Sequence, residues 1–452
     1  MRTSTSPERA AHAARCKRAA AALRALPAQL PIRLAKASSN LFRDRVADRR
    51  DRLDLGEFTH VIEVDPAAGW VDVEGGCSYE DLVAATLPRG VMPAVVPQLK
   101  TITAGGAAAG VGIEATSFRH GLVHHTMQQL DVLLPDGRIA ACTPHNEHAA
   151  LFHAFPNSYG TLGYALRLRL ATLPVKPCVQ VRHRVCGSAE AAFEALAAAC
   201  EDTTADFVDG VVFARDRIVV SSARFVEAGA PVSDYSFERI YYRSLLKKPE
   251  DTLSAAGYLW RWDTDWFWCS KNFGLQHPLL RRLAGRARLN SRTYTRWMRW
   301  NARWGLTQRW SRLAGLHRET VIQDVDIPLA QAAAFLDFLL SEIGILPVWI
   351  CPLRAPADGF TLYPLAPGRL YVNFGFWDVV RTREAHEPGH FNRRVEEAVL
   401  RLGGIKSLYS DSFFSRETFD ATYGGAAYAA LKARLDPQHR LPGLYEKCVG
   451  RA

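Results

Sequence analysis

The stretch of this chain with the clearest chemical purpose carries almost no side chains. From Ala104 to Gly112 every residue except Val111 is Gly or Ala, inside TITAGGAAAGVGIEATSFRHG at 101–121. Such a run reads as too rich in glycine for a helix and too poor in side chains to pack a strand. Glycine serves where backbone turns with positive φ or touches something large directly. A dinucleotide fingerprint would need GxGxxG straight after a strand and opening a helix. AGGAAAGVG has the wrong spacing, and Pro97 with Thr101 and Thr103 upstream does not read as that strand. The run lies between two well-patterned segments, so a plain surface loop fits poorly. A loop whose backbone N–H groups lie along a flat, phosphate-bearing cofactor fits better. Nine cysteines are scattered without a CxxC or a nearby His at ligand spacing, which argues against a metal site and for a reducing compartment.

A second group of residues is defined by charge and aromaticity. Residues 258–318 hold twelve Arg and one Lys against only Asp263 and Asp265, in a chain whose total is +10, so the remainder is close to neutral. Eight of the eleven tryptophans fall in the same segment: Trp260, Trp262, Trp266, Trp268, Trp297, Trp300, Trp304 and Trp310. Arg interleaved with Trp suits an anionic membrane interface first. A tryptophan core beneath a solvated basic face comes next, and stacking on single-stranded nucleic acid last. Asp263 and Asp265 either line a substrate pocket or pair with these arginines.

The elements that must position these groups follow from pattern. An Ala-rich helix is expected over 8–26, ended by Pro27, then a strand-like PIRL and a small polar turn at Ser38, Ser39 and Asn40. HVIEVDPAAGWVDVEGG reads as two strands around a turn, and SYEDLVAATLPRG as a helix with Ser78 as N-cap and Gly90 as its stop. QLDVLLPDGRIAACTP reads as a hairpin turning at Pro135-Asp136-Gly137. Beyond Pro174–Pro177 the pattern runs strand, helix, two strands, the Trp/Arg segment, then a second strand-helix-strand group and a further strand. An antiparallel sheet with helices on one face is the natural closure, making the chain α+β. The expected divisions are 1–175, 176–388 and 389–452. No stretch of 18 apolar residues appears, and the N-terminus lacks the apolar core of a secretory signal, so a cytoplasmic, at most peripheral, protein is expected.

The order of motifs carries a resemblance. LAKASSN, VIEVDPAAGWVDVEGGCSYEDLVAATLPRGVMPAVVP, TAGGAAAGVGIEATSFRHG, LDVLLPDGRIAACTP and ALFHAFPNSYGTLG follow one another as in the FAD-binding domain of the vanillyl-alcohol oxidase family, the FAD-linked oxidases. PVWICPL, LYSDSFFSRETF and YAALKARLDP extend the resemblance to the branch containing the Δ24-sterol reductases, over roughly residues 33–448. The Ala-rich N-terminus stands where the sterol enzymes carry a membrane anchor. The resemblance implies a two-subdomain FAD-binding domain, with a separate substrate domain and a C-terminal segment returning to the flavin. It implies FAD contacts at Ser38, Ser39 and Asn40 and at Gly105, Gly106, Gly110, Gly112 and Ile113, where larger side chains would meet the cofactor. Ser117, Gly121, Gly160, Thr161, Leu162 and Gly163 match further flavin-lining positions. Many relatives tether FAD through a His in the first turn; here that turn is Ser-Ser-Asn, so FAD is expected to bind non-covalently.

Flavin chemistry needs a hydride path and a proton. An isolated alkene has nothing to polarise it, so an acid must protonate one carbon as hydride reaches the other. Tyr409 and Asp411 in LYSDS are the first candidates, with Asp411 tuning the phenol or acting itself. Related oxidases place a flavin-contacting Lys near here; the matching Ser410 argues against ordinary alcohol oxidation. Glu114 is the second candidate, or else a structural partner of Arg119. His125 contacts flavin or substrate, or is structural, and Lys432 covers a C-terminal helix. The expected activity is reduction of an isolated C=C in a lipid, a methylene-branched fatty acyl chain or a sterol side chain. The family alone implies NADPH or NADH as donor. The alternatives are an oxidase or dehydrogenase of an alcohol or sugar, and a non-catalytic lipid- or nucleic-acid-binding module on a flavin fold.

Overall fold

The computed structural model describes residues 7–27, 31–35, 51–229, 231–304, 315–356 and 359–449. Ser38, Ser39 and Asn40 lie outside them. Short strands β1 (Ile32–Leu34) and β2 (Asp51–Leu53) pair in parallel. An antiparallel sheet then gathers β3 (Val61–Asp65), β4 (Trp70–Glu74), β5 (Val91–Pro93), β6 (Met127–Leu133), β7 (Ile139–Cys142) and β8 (Tyr164–Pro174). Alternation along β8 buries Leu166, Leu168 and Leu170, while Arg167 and Arg169 on the other face reach Asp72 of β4 at 2.8 Å. The expected N-terminal helix forms at Pro7–Ala25. It turns an unusually polar face inward, with His12 and Arg15 on the buried Glu74 at 2.6 and 2.8 Å.

The second sheet has eight strands, each antiparallel to its neighbours. Its members are β9 (Cys178–Cys186), β10 (Phe207–Ala214), β11 (Arg217–Val226), β12 (Glu250–Ser254), β13 (His317–Pro328), β14 (Val348–Arg354), β15 (Leu370–Thr382) and β16 (Ile405–Lys406), in the order β12-β9-β11-β10-β14-β15-β13-β16. Strand alternation gives its two faces different work. Val208, Val212, Ile350, Phe374, Phe376, Val321 and Val325 form a core with the helices Ala189–Glu201, Ala332–Phe338 and His390–Arg401. On the opposite face Val211, Trp349 and Cys351 join the core of the first sheet. The same face carries Asp324, Asp326, Asn373 and Gly375. The register aligns Trp349, Gly375 and Asp324 in one row and Cys351, Asn373 and Asp326 in the next. That face is the one that meets the N-terminal sheet.

One expectation fails outright. Residues Ala104–Ala109 form a short α-helix, and Thr103 caps it by accepting from the Gly106 amide at 3.2 Å. The alanines supply enough helix propensity, and a good N-cap offsets part of the glycine cost. Strand β12 and the helices Pro278–Ala284 and Ser291–Trp304 inside the Trp/Arg segment were not legible as patterns.

Candidate flavin site and acid pair

The Gly/Ala strip owes part of its composition to the protein itself. A Cβ at Gly105 would lie 2.9 Å from the Gly75 carbonyl oxygen and 3.2 Å from Ala165 Cβ. At Gly112 it would meet Pro97 and Val123 at 3.1 Å. The expectation that only a cofactor keeps these positions small is therefore corrected: close approach of helix to sheet already requires it. The Gly105 amide is also engaged, donating to Gly75 O at 2.9 Å. Gly106 nonetheless stays exposed, and Gly105, Gly110, Gly112 and Ile113 stay half-buried, leaving a nearly side-chain-free surface. Ser117, Thr161 and Leu162 are fully buried. Gly121 (φ 71°), Gly160 (φ 78°) and Gly163 (φ 140°) all need glycine's backbone freedom.

This surface fits FAD by an observation of its own. Gln98, buried beside Pro97, has neither its amide nitrogen nor its oxygen paired among the described residues, and His124, next to Val123, has both ring nitrogens unpaired. Pro97 and Val123, with Ala107, are the nearest neighbours that a Cβ at Gly112 would meet. Buried polar groups without partners are rare in a finished site and point to partners supplied from outside the chain. A polar, flat group along the strip would supply them.

The turn at 157–163 faces the C-terminal segment. Asn157 and Tyr159 adopt positive φ of 62° and 50°, strain that clusters at functional sites. Asn157 donates to Leu362 O at 2.7 Å and accepts from the Leu408 amide at 3.4 Å, which sets Tyr409 beside this turn. Lys432 does more than cover a helix: its buried ammonium donates to Thr161 O at 2.7 Å, Leu441 O at 3.1 Å and Asp436 at 2.6 Å.

Tyr409 is part of an acid pair that the sequence reading only half anticipated. Trp377 Nε1 donates to the Tyr409 hydroxyl at 2.9 Å, and the phenol engages Asp324. Burial, then the neighbouring Asp326, push the Asp324 carboxyl up to about 7, although its bond to Tyr409 works the other way. Its Oδ1 has no partner among the described residues. Burial likewise raises the Tyr409 phenol. Asp326 is saturated, accepting from Tyr363 and Asn373 at 2.7 Å each, and burial pushes it up to about 6. Asp324 was missed because a lone Asp in a strand looks like a solvent-facing residue. Its only signal was alternation: QDVD puts two carboxylates on the face opposite the Val core.

Asp411 enters this site through its backbone. Its carbonyl accepts from Lys406 at 2.5 Å, and the same ammonium holds Glu396 at 2.6 Å and Ser412 at 3.0 Å, fixing the loop that carries Tyr409. Ser410 is buried and reaches Gln323 at 3.5 Å.

The other candidates are structural or peripheral. Glu114 pairs with Arg261 at 2.8 Å, not with Arg119, which instead reaches the carbonyls of Asp202 and Thr203. Asp209 shares the same guanidinium at 2.8 Å, and Tyr258 lies against it at 3.9 Å. Burial pushes Glu114 up to about 6 against the pull of Arg261, and the cluster ties the segment after the Ala104–Ala109 helix to β10. Asp263 accepts from Ser291 Oγ at 2.5 Å and from the Lys100 amide at 3.0 Å; Asp265 binds Arg281 at 2.6 and 3.0 Å. Internal donors occupy both carboxylates, so neither lines a substrate pocket. His125 does face a cleft of about 320 Å³, with Phe360, Thr361, Tyr363 and Leu365 among its walls. Its Nδ1 accepts from the Leu122 amide at 2.9 Å, which leaves Nε2 carrying the hydrogen, and burial lowers its pKa to about 4.

The Trp/Arg segment resolves into two halves. Trp262, Trp266 and Trp268 are buried, and Phe267 and Trp268 pack on Trp377 with centroids 4.4 and 5.9 Å away, walling the acid pair with aromatic rings. Trp297, Trp300 and Trp304 are exposed. Trp310 lies outside the described residues.

The comparisons with known proteins concern the chain as a whole. Residues 7–143 match the family model described as an FAD binding domain. The chain is 27% identical to mouse Delta(24)-sterol reductase over 410 residues, covering 86% of this chain and 75% of the relative. It is 23% identical to the pea Delta(24)-sterol reductase over 452 residues, covering 88% and 76%. A rice cytokinin dehydrogenase 10 matches at 32% over 122 residues, 27% of this chain and 22% of that relative. The chain is an FAD-dependent oxidoreductase that carries an FAD binding domain over residues 7–143 and is similar to Delta(24)-sterol reductases over most of its length.

Proposed function

We propose that this protein reduces an isolated carbon–carbon double bond in a lipid, a sterol side chain or a methylene-branched acyl chain, with electrons from NADPH or NADH. The observation that carries the reading is the Tyr409–Asp324 pair. It is a buried proton source, set in a wall of Trp377 and Phe267 beside the 157–163 turn. A carboxyl kept protonated near neutrality is suited to giving a proton rather than taking one. Oxidation of an alcohol would ask for a base instead.

FAD held along 105–113 and 157–163 would supply the hydride exchange that the alkene needs. The chain's own work is to hold the lipid against this aromatic wall and to deliver one proton. In this reading the Tyr409 hydroxyl gives its proton to one alkene carbon while hydride reaches the other. Asp324 then returns a proton to the phenolate, and bulk water restores Asp324. Trp377 keeps the phenol oriented throughout. The relatives' names favour a sterol; a branched acyl chain poses the same chemical problem. Such lipids reside in membranes, and the basic segment 258–318 is where the chain would meet an anionic one.

The test is an anaerobic titration of the FAD-loaded protein. NADPH should bleach the flavin band, and a micellar lipid carrying an isolated alkene should restore it with formation of the saturated product. Bleaching by a polar alcohol instead would move the assignment to an oxidase or dehydrogenase. A chain that takes up no FAD would leave a binding module.

A further inference from the structure

Asp263 and Asp265 sit on one buried turn, and each roots a different helix. Asp265 holds Arg281 within Pro278–Ala284, while Asp263 accepts from both the hydroxyl and the amide of Ser291, the first residue of Ser291–Trp304. The helix Pro278–Ala284 is inverted relative to ordinary amphipathic burial. It buries Arg281 and exposes its leucines, with Leu279 and Leu283 at 64% and 77%. In Ser291–Trp304 the buried Tyr294 and half-buried Met298 pack inward. Trp297, Trp300 and Trp304, spaced i, i+3 and i+7, share an outer stripe and are 55%, 52% and 54% exposed. With Leu280, these make six of the ten large apolar side chains exposed among the described residues. That concentration is what marks an interaction surface.

Charge decides the partner. Residues 277–304 contain eight arginines and no acid. Arg282, Arg286 and Arg292 pair with Glu238, Asp234 and Glu80, whereas Arg288 and Arg296 are exposed and have no ion pair among the described residues. A second copy of this face would set arginine against arginine. Nucleic acid would find tryptophans but gain nothing from protruding leucines. An anionic bilayer accommodates all three features: leucines in the upper acyl layer, indoles at the headgroup level, guanidinium groups on phosphate.

We propose that these two helices form a docking surface for an anionic lipid bilayer. The inference deepens the lipid-reductase reading by naming where the enzyme meets its substrate's phase, and it is tested without any turnover. The FAD-loaded full chain is sedimented with vesicles of equal phosphatidylglycerol and phosphatidylcholine, and with phosphatidylcholine alone. Wild type should pellet with the anionic vesicles and far less with the neutral ones. The W297S/W300S/W304S triple variant should lose affinity on the order of tenfold or more. Arg288→Glu with Arg296→Glu, which leaves the apolar stripe intact, should lose binding to anionic vesicles on a similar scale. Retained flavin absorbance and circular dichroism would show that the variants fold. Failure of wild type to pellet, equal binding to neutral vesicles, or triple-variant binding at the wild-type level would each overturn the proposal. So would a wild-type dimer that the triple variant dissolves without any vesicle binding. Reduction of micellar lipid with no vesicle docking would sink this surface alone; docking without reduction would sink only the assigned reaction.

Discussion

At the residue scale, the weight falls on one hydroxyl and one carboxyl. If Tyr409 delivers the proton and Asp324 restores it, Tyr409→Phe and Asp324→Asn should each cut lipid reduction by about 10²–10⁴-fold while FAD stays bound. Bleaching by NADPH should survive in both, because no proton from this pair enters that half-reaction. The carboxyl is pushed up to about 7, so the wild-type rate should fall as pH rises through neutrality. Asp324→Asn should flatten that limb at a low rate. An unchanged descending limb in Asp324→Asn would assign it to another group. The same group makes a stability statement with a definite sign. Its folded pKa lies above the ordinary carboxylate value, so its contribution is fully present below that value and is lost as pH rises through about 7. Asp324→Asn should therefore melt higher than wild type at pH 8, with the two converging near pH 4. A melting gap independent of pH would show that the carboxyl is not held protonated in the fold. Such an exchange of stability for a reactive group is common at active sites.

At the scale of elements, the glycine strip and the buried ion cluster make separate demands. Gly105→Ala presses a methyl against the Gly75 carbonyl and Ala165, so it should cost about 1–3 kcal/mol even in protein stripped of flavin. Thermal unfolding of the flavin-free variant checks this; a loss seen only in the flavin-bound form would restore the cofactor as the sole reason for the glycine. Arg261 serves Glu114 and Asp209 together, and its removal leaves two buried carboxylates without a counter-charge. Arg261→Met should destabilise by about 3–5 kcal/mol in denaturant titration. Glu114→Gln should keep the reduction rate within a few-fold, which separates a structural carboxylate from a catalytic one.

At the scale of the whole molecule, the second sheet divides labour between its faces. One face is an aliphatic core under three helices; the other carries the acid pair toward the N-terminal sheet. The tryptophan-rich segment then spans from the wall of that site to the exposed stripe at Trp297–Trp304 in sequence. If docking brings the lipid to the site, reduction of a substrate embedded in anionic vesicles should weaken steeply as salt is raised, since exposed arginines act within a Debye length of about 10 Å at 0.1 M. The same substrate in neutral detergent micelles should turn over with little salt dependence. Parallel salt curves in the two systems would argue that the arginines take no part in delivery. No helix among the described residues is long and apolar enough to cross a membrane.

Much of this protein was written locally. Periodicity located the helix at Ala189–Glu201, the long strands β8, β9, β13 and β15, and the turn chemistry at Ser78 and Pro135–Gly137, because these depend on neighbours within a few residues. The order of motifs pointed to the Gly/Ala strip as the expected flavin surface and singled out Tyr409. Contacts between distant segments could not be read that way. Glu114 finds its cation 147 residues away in Arg261, not five away in Arg119. Asp324 becomes an acid only because strand pairing puts Gly375 across from it, Asp326 beside it and Tyr409 over it. Asp263 and Asp265 could be read as pocket residues or as arginine partners until their donors, Ser291 and Arg281, folded back upon them. Composition alone could not divide core tryptophans from surface ones, since an indole's burial depends on what packs against it. Residue type and short spacing carried propensity and motif; charge environment and burial depend on long-range packing, and only the tertiary structure decided them.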